Sequence, residues 1–288
     1  MDLLSRLTRD GVFSAAYAVA AGIDASELRR LVAAGQCHRL IRGWYALGPV
    51  GESRMEHGLR VSALTQHLPG VCPSHHSLLT MHGLPLLRAD LDVVHLTRLH
   101  DRASRHRDGA IIHPHLEGVV TVAQAIVQTG LVNGPSDALV AADAALHRCL
   151  VSPRQLAEAV GQLGGHPHIT GVRRALAGVD SRSESPGETL LREVLVSAGF
   201  AVTPQFVVHD DQVDWRADLV IDGTTVLVEF DGLMKYTGSS DLVAEKLRED
   251  RLRDLGYEVI RVTWSDLAHP ERILERIRRA IARARRAA

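Results

Sequence analysis

Hydrophobic and polar positions change their period several times along the chain, and each change predicts a new element. LLSRLTRD and VFSAAYAVAAG have helical spacing, the second ending at Gly22. Asp24 then stands as an N-cap with Glu27 three positions on, the spacing of a capping box. Leu28, Leu31 and Val32 give this third helix its buried stripe before Gly35 stops it. CHRLIRGWYAL reads as two short strands around Arg42-Gly43. SRMEHGLRVSALTQHL and SHHSLLTMHGL return to helical spacing, the latter capped by Ser74. LDVVHLT and AIIHPHL are strand-like, with the polar loop DRASRHRDG between them. SDALVAADAALHRCL and SPRQLAEAV are helical, and Ser152-Pro153 supplies the cap and first turn of the second.

DSRSESPG, residues 180–187, is polar and rich in turn formers, and marks a junction. Ser185, Pro186 and Glu188 then open a helix with a full capping box. FAVTPQFVV, ADLVI and TTVLVEF follow as strands, and Asp222-Gly223 between the last two predicts a tight hairpin of the primed type. LVAEKLREDRLRDLG is a helix with Leu242, Leu247, Leu252 and Leu255 toward one side. A right-handed crossover sets the next strand, YEVIRV, parallel to VLVEF. PERILERIRRAIARARRAA is a basic amphipathic helix with Ile273, Ile277 and Ile281 on one face.

These elements sum to a multi-domain α/β chain. Residues 1–50 read as a winged helix-turn-helix, 51–179 as a mixed α/β middle region, and 185–288 as a C-terminal α/β domain. In a helix-turn-helix the last helix enters the major groove while the wing touches the backbone. Arg29, Arg30, Arg39 and Arg42 are therefore the candidate DNA contacts, against the plainer role of solvating a small helical unit. In the C-terminal domain Lys246, Arg248 and Arg253 project from one helix as further candidates.

The 288 residues are 45% hydrophobic and 23% charged, ample for several cores, and with aromatics at 4% those cores must be aliphatic. A net charge of −1 confines any nucleic-acid binding to local patches. Three scattered cysteines, Cys37, Cys72 and Cys149, without CxxC spacing argue for a reducing, cytoplasmic setting. No apolar run is long enough for a bilayer, so no membrane is expected as a partner.

Candidate chemistry gathers at the Asp222-Gly223 hairpin. With a loop of two or four residues, Asp218 pairs with Leu227 and has Glu229 as its diagonal neighbour; Asp231 follows on the same face. Carboxylates among Val, Leu, Ile and Phe are costly unless paired, and hard divalent cations take such oxygen ligands. Glu188 has two rival roles, as the capping-box acid or as an inward acid on the helix face of Leu191 and Leu195. His75, His76, His113 and His115 tempt a metal reading, but no acid or cysteine falls at matching spacing. They are read as surface or hydrogen-bonded histidines.

SPGETLLREVLVSAGF, Gln205, the Asp218 strand, VEFDGLMKY and EKLREDRLRDLGYEVIRVTW together resemble the PD-(D/E)xK nucleases, in particular the branch related to very-short-patch-repair endonucleases. The resemblance implies a restriction-endonuclease-like domain that hydrolyses phosphodiesters in double-stranded DNA with Mg²⁺ or Mn²⁺. It puts Asp218, Glu229 and Glu188 on the metal-binding acids, with Gln205 orienting water or phosphate. Asp231 departs from the pattern, standing where a typical member has lysine; Lys235 is left to stabilise the oxyanion and Asp231 to act as an outer acceptor. GIDASELRRLVAAG and RLIRGWYAL resemble the N-terminal domain of AbiEi-type antitoxins. That implies a second possibility, a toxin–antitoxin regulator with a cognate toxin as partner and an inactive nuclease fold.

Overall fold

A computed structural model of the chain describes residues 8–101, 103–107, 109–116, 118–210, 213–232 and 239–287; for 107, 239–246 and 287 it describes the backbone alone. The chain is a mixed α/β protein, with twelve helices and three sheets among the described residues. It divides into two compact units, one of residues 1–141 and 151–174, the other of 142–150 and 175–288. No helix among the described residues is long and apolar enough to cross a membrane.

The first unit opens with β1 (Val12–Ser14), α1 (Ala15–Ala20), α2 (Ala25–Ala33), β2 (Cys37–Ile41) and β3 (Trp44–Leu47), its sheet running β1-β3-β2. The helix expected from VFSAAYAVAAG is shorter than its pattern. Val12 and Phe13 are fully buried in β1 instead, and Ser14 caps α1 by accepting from the Tyr17 N–H. LLSRLTRD lies mostly outside the described residues, and Arg9 forms a strand bridge with Val12 rather than a helical turn. Asp24 caps α2 through the Ser26 and Glu27 N–H groups, but the Glu27 carboxylate pairs with Arg30, so the capping box is half made. Gly35, at φ +67°, ends α2.

The rest of this unit packs α3 (Ser53–His67), α4 (His75–Met81) and α5 (Val122–Asn133) with a sheet of β4 (Val71–Pro73), β5 (Val94–Arg98), β6 (Arg105–Arg107) and β7 (Ala110–His113). The sheet order is β4-β5-β7-β6, with β5 parallel to β7. Val94, Leu96, Ala110 and Ile112 face one way, into a core with Val61 and Leu64 of α3. By alternation His95, Thr97 and His113 face the other. The stretch expected to be a loop holds β6, whose backbone pairs with β7 despite its arginines. After α6 (Pro135–His147) come α7 (Pro153–Gln162) and α8 (Ile169–Leu176). Ser152 and Gln155 complete the capping box of α7.

The second unit carries α9 (Pro186–Ser197), β8 (Val202–Val208), β9 (Trp215–Ile221), β10 (Val226–Asp231), α10 (Ser239–Asp254), β11 (Glu258–Thr263), α11 (Trp264–Leu267) and α12 (Pro270–Ala287). Its sheet runs β11-β10-β9-β8, and β11 is parallel to β10, the arrangement the crossover predicts. Leu191 and Leu195 of α9 and Ile273 and Ile277 of α12 cover one face, over Leu219, Val228 and Val262. Leu252 of α10 covers the other, over Val220 and Leu227. Leu247, expected on the buried side of α10, is exposed. The β9–β10 hairpin forms where Asp222-Gly223 predicts it, but not as a primed turn. Gly223 has φ +72° while Asp222 stays outside the left-handed region, and the Thr224 N–H closes on the Ile221 carbonyl at 3.2 Å.

Candidate active site

Three strands of the second unit bring the predicted residues into one row. Pro204 lies beside Leu219 and Phe206 beside Ala217, which sets Gln205 against Asp218. Val228 lies beside Leu219, so the next step along both strands sets Asp218 against Glu229. This corrects the expected pairing of Asp218 with Leu227, which lies beside Val220 instead. The hairpin loop takes residues 222–225, and the register moves by two. An even shift leaves the side chains of a regular strand on their own faces.

The row is also where both strands lose their regular alternation. Val202 packs with the α9 side of the sheet, whereas Phe206 and Val208 pack with the α10 side. Ala217 and Leu219 divide in the same way on β9. The change of face on β8 coincides with Gln205, whose φ of +53° is a left-handed conformation that costs a non-glycine residue on the order of 1–2 kcal/mol. On β9 it coincides with Asp218, whose Oδ2 accepts the Phe230 N–H at 2.7 Å, a side chain standing where a ladder carbonyl would otherwise serve.

Glu188 reaches the row from α9. Ser185 caps that helix through the Glu188 N–H at 3.2 Å, but the expected box does not close on Ser185. Glu188 Oε2 instead accepts from the Glu184 N–H at 3.0 Å and from Gln205 Nε2 at 2.9 Å. One carboxylate oxygen thus serves the helix start and the row together. Gln205 Oε1 is left buried without a hydrogen-bond partner.

Burial pushes the Asp218 carboxyl up to about 6, and the negative charges of Glu188 and Glu229 add to the shift while the Phe230 N–H and Arg248 oppose it. Arg248 does not project toward solvent as expected. Its guanidinium lies 2.5 Å from Glu229 Oε1 and donates to the Arg216 carbonyl at 3.0 Å. Arg216 in turn pairs with Glu184 at 2.8 Å. Asp231 is half-buried at the end of β10, beside Thr263. Arg253 is exposed and pairs with Glu249 and Asp250 along its own helix. Lys235 lies outside the described residues, as does the Lys246 side chain.

In the first unit Arg29, Arg30, Arg39 and Arg42 are all exposed, on α2, β2 and the β2–β3 turn. Arg29 and Arg39 border a groove of about 410 Å³ floored by Val19, Leu28 and Tyr45. Elsewhere in that unit His75, His95 and His113 bring ring nitrogens within 4.8 Å of one another. Among the described residues they form the one group of three or more His, Cys, Asp or Glu so converged. His76 and His115, also singled out, bond the Val93 and Arg98 carbonyls at 3.0 and 3.1 Å. His95 sits in an apolar strand run with no histidine at helical or alternate spacing, so sequence reasoning passed over it.

No protein-family model matches the chain. Two uncharacterised proteins of Mycobacterium tuberculosis, Rv2248 of strain H37Rv and MT2308 of strain CDC 1551, are each 28% identical over 153 residues. That match covers 52% of this chain and 56% of either relative, so the chain spans little more than half of their length. Among solved structures, the catalytic domain of the homing endonuclease I-Bth0305I is similar over 34% of this chain and 95% of its own, at 16% identity and a TM-score of 0.29. A likeness of that size settles neither fold nor activity.

Proposed function

We propose that the second unit is a metal-dependent endonuclease of the PD-(D/E)xK kind, hydrolysing phosphodiester bonds in duplex DNA. The observation that carries this reading is the Asp218 carboxyl, with Gln205 and Glu229 on either side and its pKa pushed up to about 6. A half-buried carboxyl perturbed by desolvation and by neighbouring charges is a functional-site candidate. The donor set fits Mg²⁺ or Mn²⁺, being all oxygen, and the orphaned Gln205 Oε1 is an acceptor with nothing to accept from. Asp218 and Glu229 would hold the ion with Glu188 beside them. Bound there, it would lower the pKa of water and offset charge developing on the phosphate.

The chain's own residues supply the rest. Gln205, fixed by its bond to Glu188, orients water or a phosphate oxygen. Arg248, paired with Glu229, would offer its positive charge to the phosphate. Lys235, outside the described residues, would be left to stabilise the oxyanion, and Asp231 to serve as an outer acceptor. The β1-α1-α2-β2-β3 order of the first unit supports a winged helix-turn-helix, with Arg29, Arg30, Arg39 and Arg42 on its exposed side.

A second reading is a DNA-binding regulator of the AbiEi type, with a cognate toxin as partner and a silent nuclease fold. Asp231 in the lysine position and the Arg248–Glu229 ion pair favour it. Plasmid DNA incubated with the protein in Mg²⁺ or Mn²⁺, and in EDTA, separates the two. Nicking that EDTA abolishes supports the nuclease; salt-sensitive binding without cleavage in either metal supports the regulator.

A further inference from the structure

We propose that His75, His95 and His113 form a Zn²⁺ site in the first unit, with three imidazole ligands and a fourth position for water or an exogenous ligand. The proposal stands apart from the nuclease reading, since it concerns the other unit and a different class of cation.

The fold builds this cluster from three separate elements. β5 and β7 lie parallel with Thr97 beside His113, so His95, two positions before Thr97, shares the face of His113. His75 opens α4 above them. Its ring stacks on His113 at 3.9 Å and lies 4.9 Å from His95, and the His95 and His113 rings are 5.0 Å apart. His113 Nε2 and His95 Nδ1 are 2.9 Å apart, a contact between two nitrogens that holds together through one shared proton. A cation there would replace that proton, opening the nitrogen pair and turning the stacked His75 and His113 rings toward one point. Zn–N bonds of about 2.0–2.1 Å set tetrahedral nitrogen pairs roughly 3.3 Å apart. The range from 2.9 Å to the 4.8 Å limit of the cluster brackets that value.

The protein meets a cost to hold this arrangement. His75 has φ +50°, a left-handed conformation outside the glycines. It is fixed there by its N–H, which donates to Gln128 Oε1 at 3.2 Å, and by Ser74 Oγ, 3.0 Å from its Nδ1. Two polar atoms at the border of the cluster lack partners. Thr97 Oγ1 is buried beside His113, and His76 Nδ1 is buried on a ring 4.6 Å from His95. Native proteins seldom leave such atoms unpaired unless a ligand or ion completes the site. Metal binding takes the neutral imidazole, whose ring nitrogen keeps a lone pair for the cation. Three neutral imidazoles suit Zn²⁺ and its borderline neighbours Co²⁺ and Ni²⁺, not the hard, oxygen-seeking Mg²⁺.

The test uses the full chain, stripped with chelator and titrated with Zn²⁺ against a chromophoric competitor. The expected result is one tight site per chain, weakened at least tenfold in His113→Gln and His95→Gln. It should be unchanged in His209→Gln/His269→Gln, which removes two exposed histidines of the other unit. Co²⁺ in the same site should give the intense visible bands of tetrahedral coordination. Because a buried substitution can unfold the chain, ¹⁵N histidine spectra of the wild type with one equivalent of Zn²⁺ give a second readout. Three imidazoles should shift together, and those of His209 and His269 should not. Zinc affinity unaltered in a folded His113→Gln variant, or a wild type that binds no zinc, would overturn the proposal.

Discussion

At the scale of the residue, both candidate sites carry a strained backbone. The non-glycine residues with positive φ are Asp10, His75, Cys149 and Gln205 among those described, and two of the four stand at the histidine cluster and the acidic row. Neither was legible in advance, because TPQFVV reads as plain strand and SHHSLL as plain helix start. Asp218 and Glu229 were legible as neighbours across the Asp222-Gly223 hairpin whatever the even offset of the register, whereas the break in alternation at Asp218 was not. Burial and charge make Asp218 the residue most sensitive to pH. Its folded pKa of about 6 lies above the usual 3.8, so the folded chain keeps this proton longer than the unfolded one. The group therefore lowers stability as pH rises from about 4 to about 6, and its cost is fully present above that. Asp218→Asn in EDTA should stabilise the protein at pH 7.5 by on the order of 1–2 kcal/mol, with the gain gone near pH 4. Equal urea midpoints for the two proteins at pH 7.5 would contradict this. Arg248→Ala should do the reverse, leaving Glu229, whose side chain is 12% exposed, without its main cation. Its melting temperature should fall in EDTA and recover more with Mg²⁺ than the wild type's rises; identical shifts would remove the cation from that position.

At the scale of the element, legibility followed amphipathicity. Helices with one apolar stripe, such as α2 and α12, were plain in the sequence. α5 was not, because eight consecutive residues from Ala123 to Gly130 are buried and no face is polar. β6 hid behind its arginines, its strand character coming from backbone pairing with β7 rather than from side chains. The close fit of α9 onto β10 rests on one glycine. A Cβ on Gly187 would lie 2.0 Å from the Phe230 ring, which also meets Trp264 edge-on at 5.1 Å. Gly187→Ala should cost about 1–3 kcal/mol by overpacking and move the Phe230 N–H away from Asp218. Chemical denaturation measures the first effect, and an unchanged midpoint would refute the contact. The same helix is anchored by Arg192, 2.5 Å from the buried Asp143, which also accepts from the Thr189 hydroxyl and the Asp180 N–H, each at 2.8 Å. Asp143→Ala should cost about 3–5 kcal/mol, because it strands a buried guanidinium. A loss below about 1 kcal/mol would mean that Arg192 finds another partner or water.

At the scale of the whole molecule, the two proposals give the chain's two units different metal chemistry, oxygen donors in one and imidazoles in the other. The mixed α/β class was legible because strand and helix periods alternate along the sequence. The membership of 142–150 in the second unit was not, because it depends on Asp143 meeting Arg192 49 residues later. With a net charge of −1, any DNA affinity has to come from local patches, and the proposed reading places it on the exposed arginines of the first unit. Arg39→Ala and Arg42→Ala should each weaken binding evenly across sequences and lower the slope of log affinity against log salt by about one. Unchanged slopes in fluorescence-anisotropy titrations would move the DNA surface elsewhere.

The central claim is that the Asp218 row performs metal-dependent hydrolysis, and the most direct measurement compares wild type with Asp218→Ala on one labelled duplex in Mg²⁺, scoring cleavage and affinity together. Cleavage by the wild type, none by the variant, and equal DNA affinity for both are expected. Equal cleavage by the two proteins, or none by either in Mg²⁺ and in Mn²⁺, would contradict that claim.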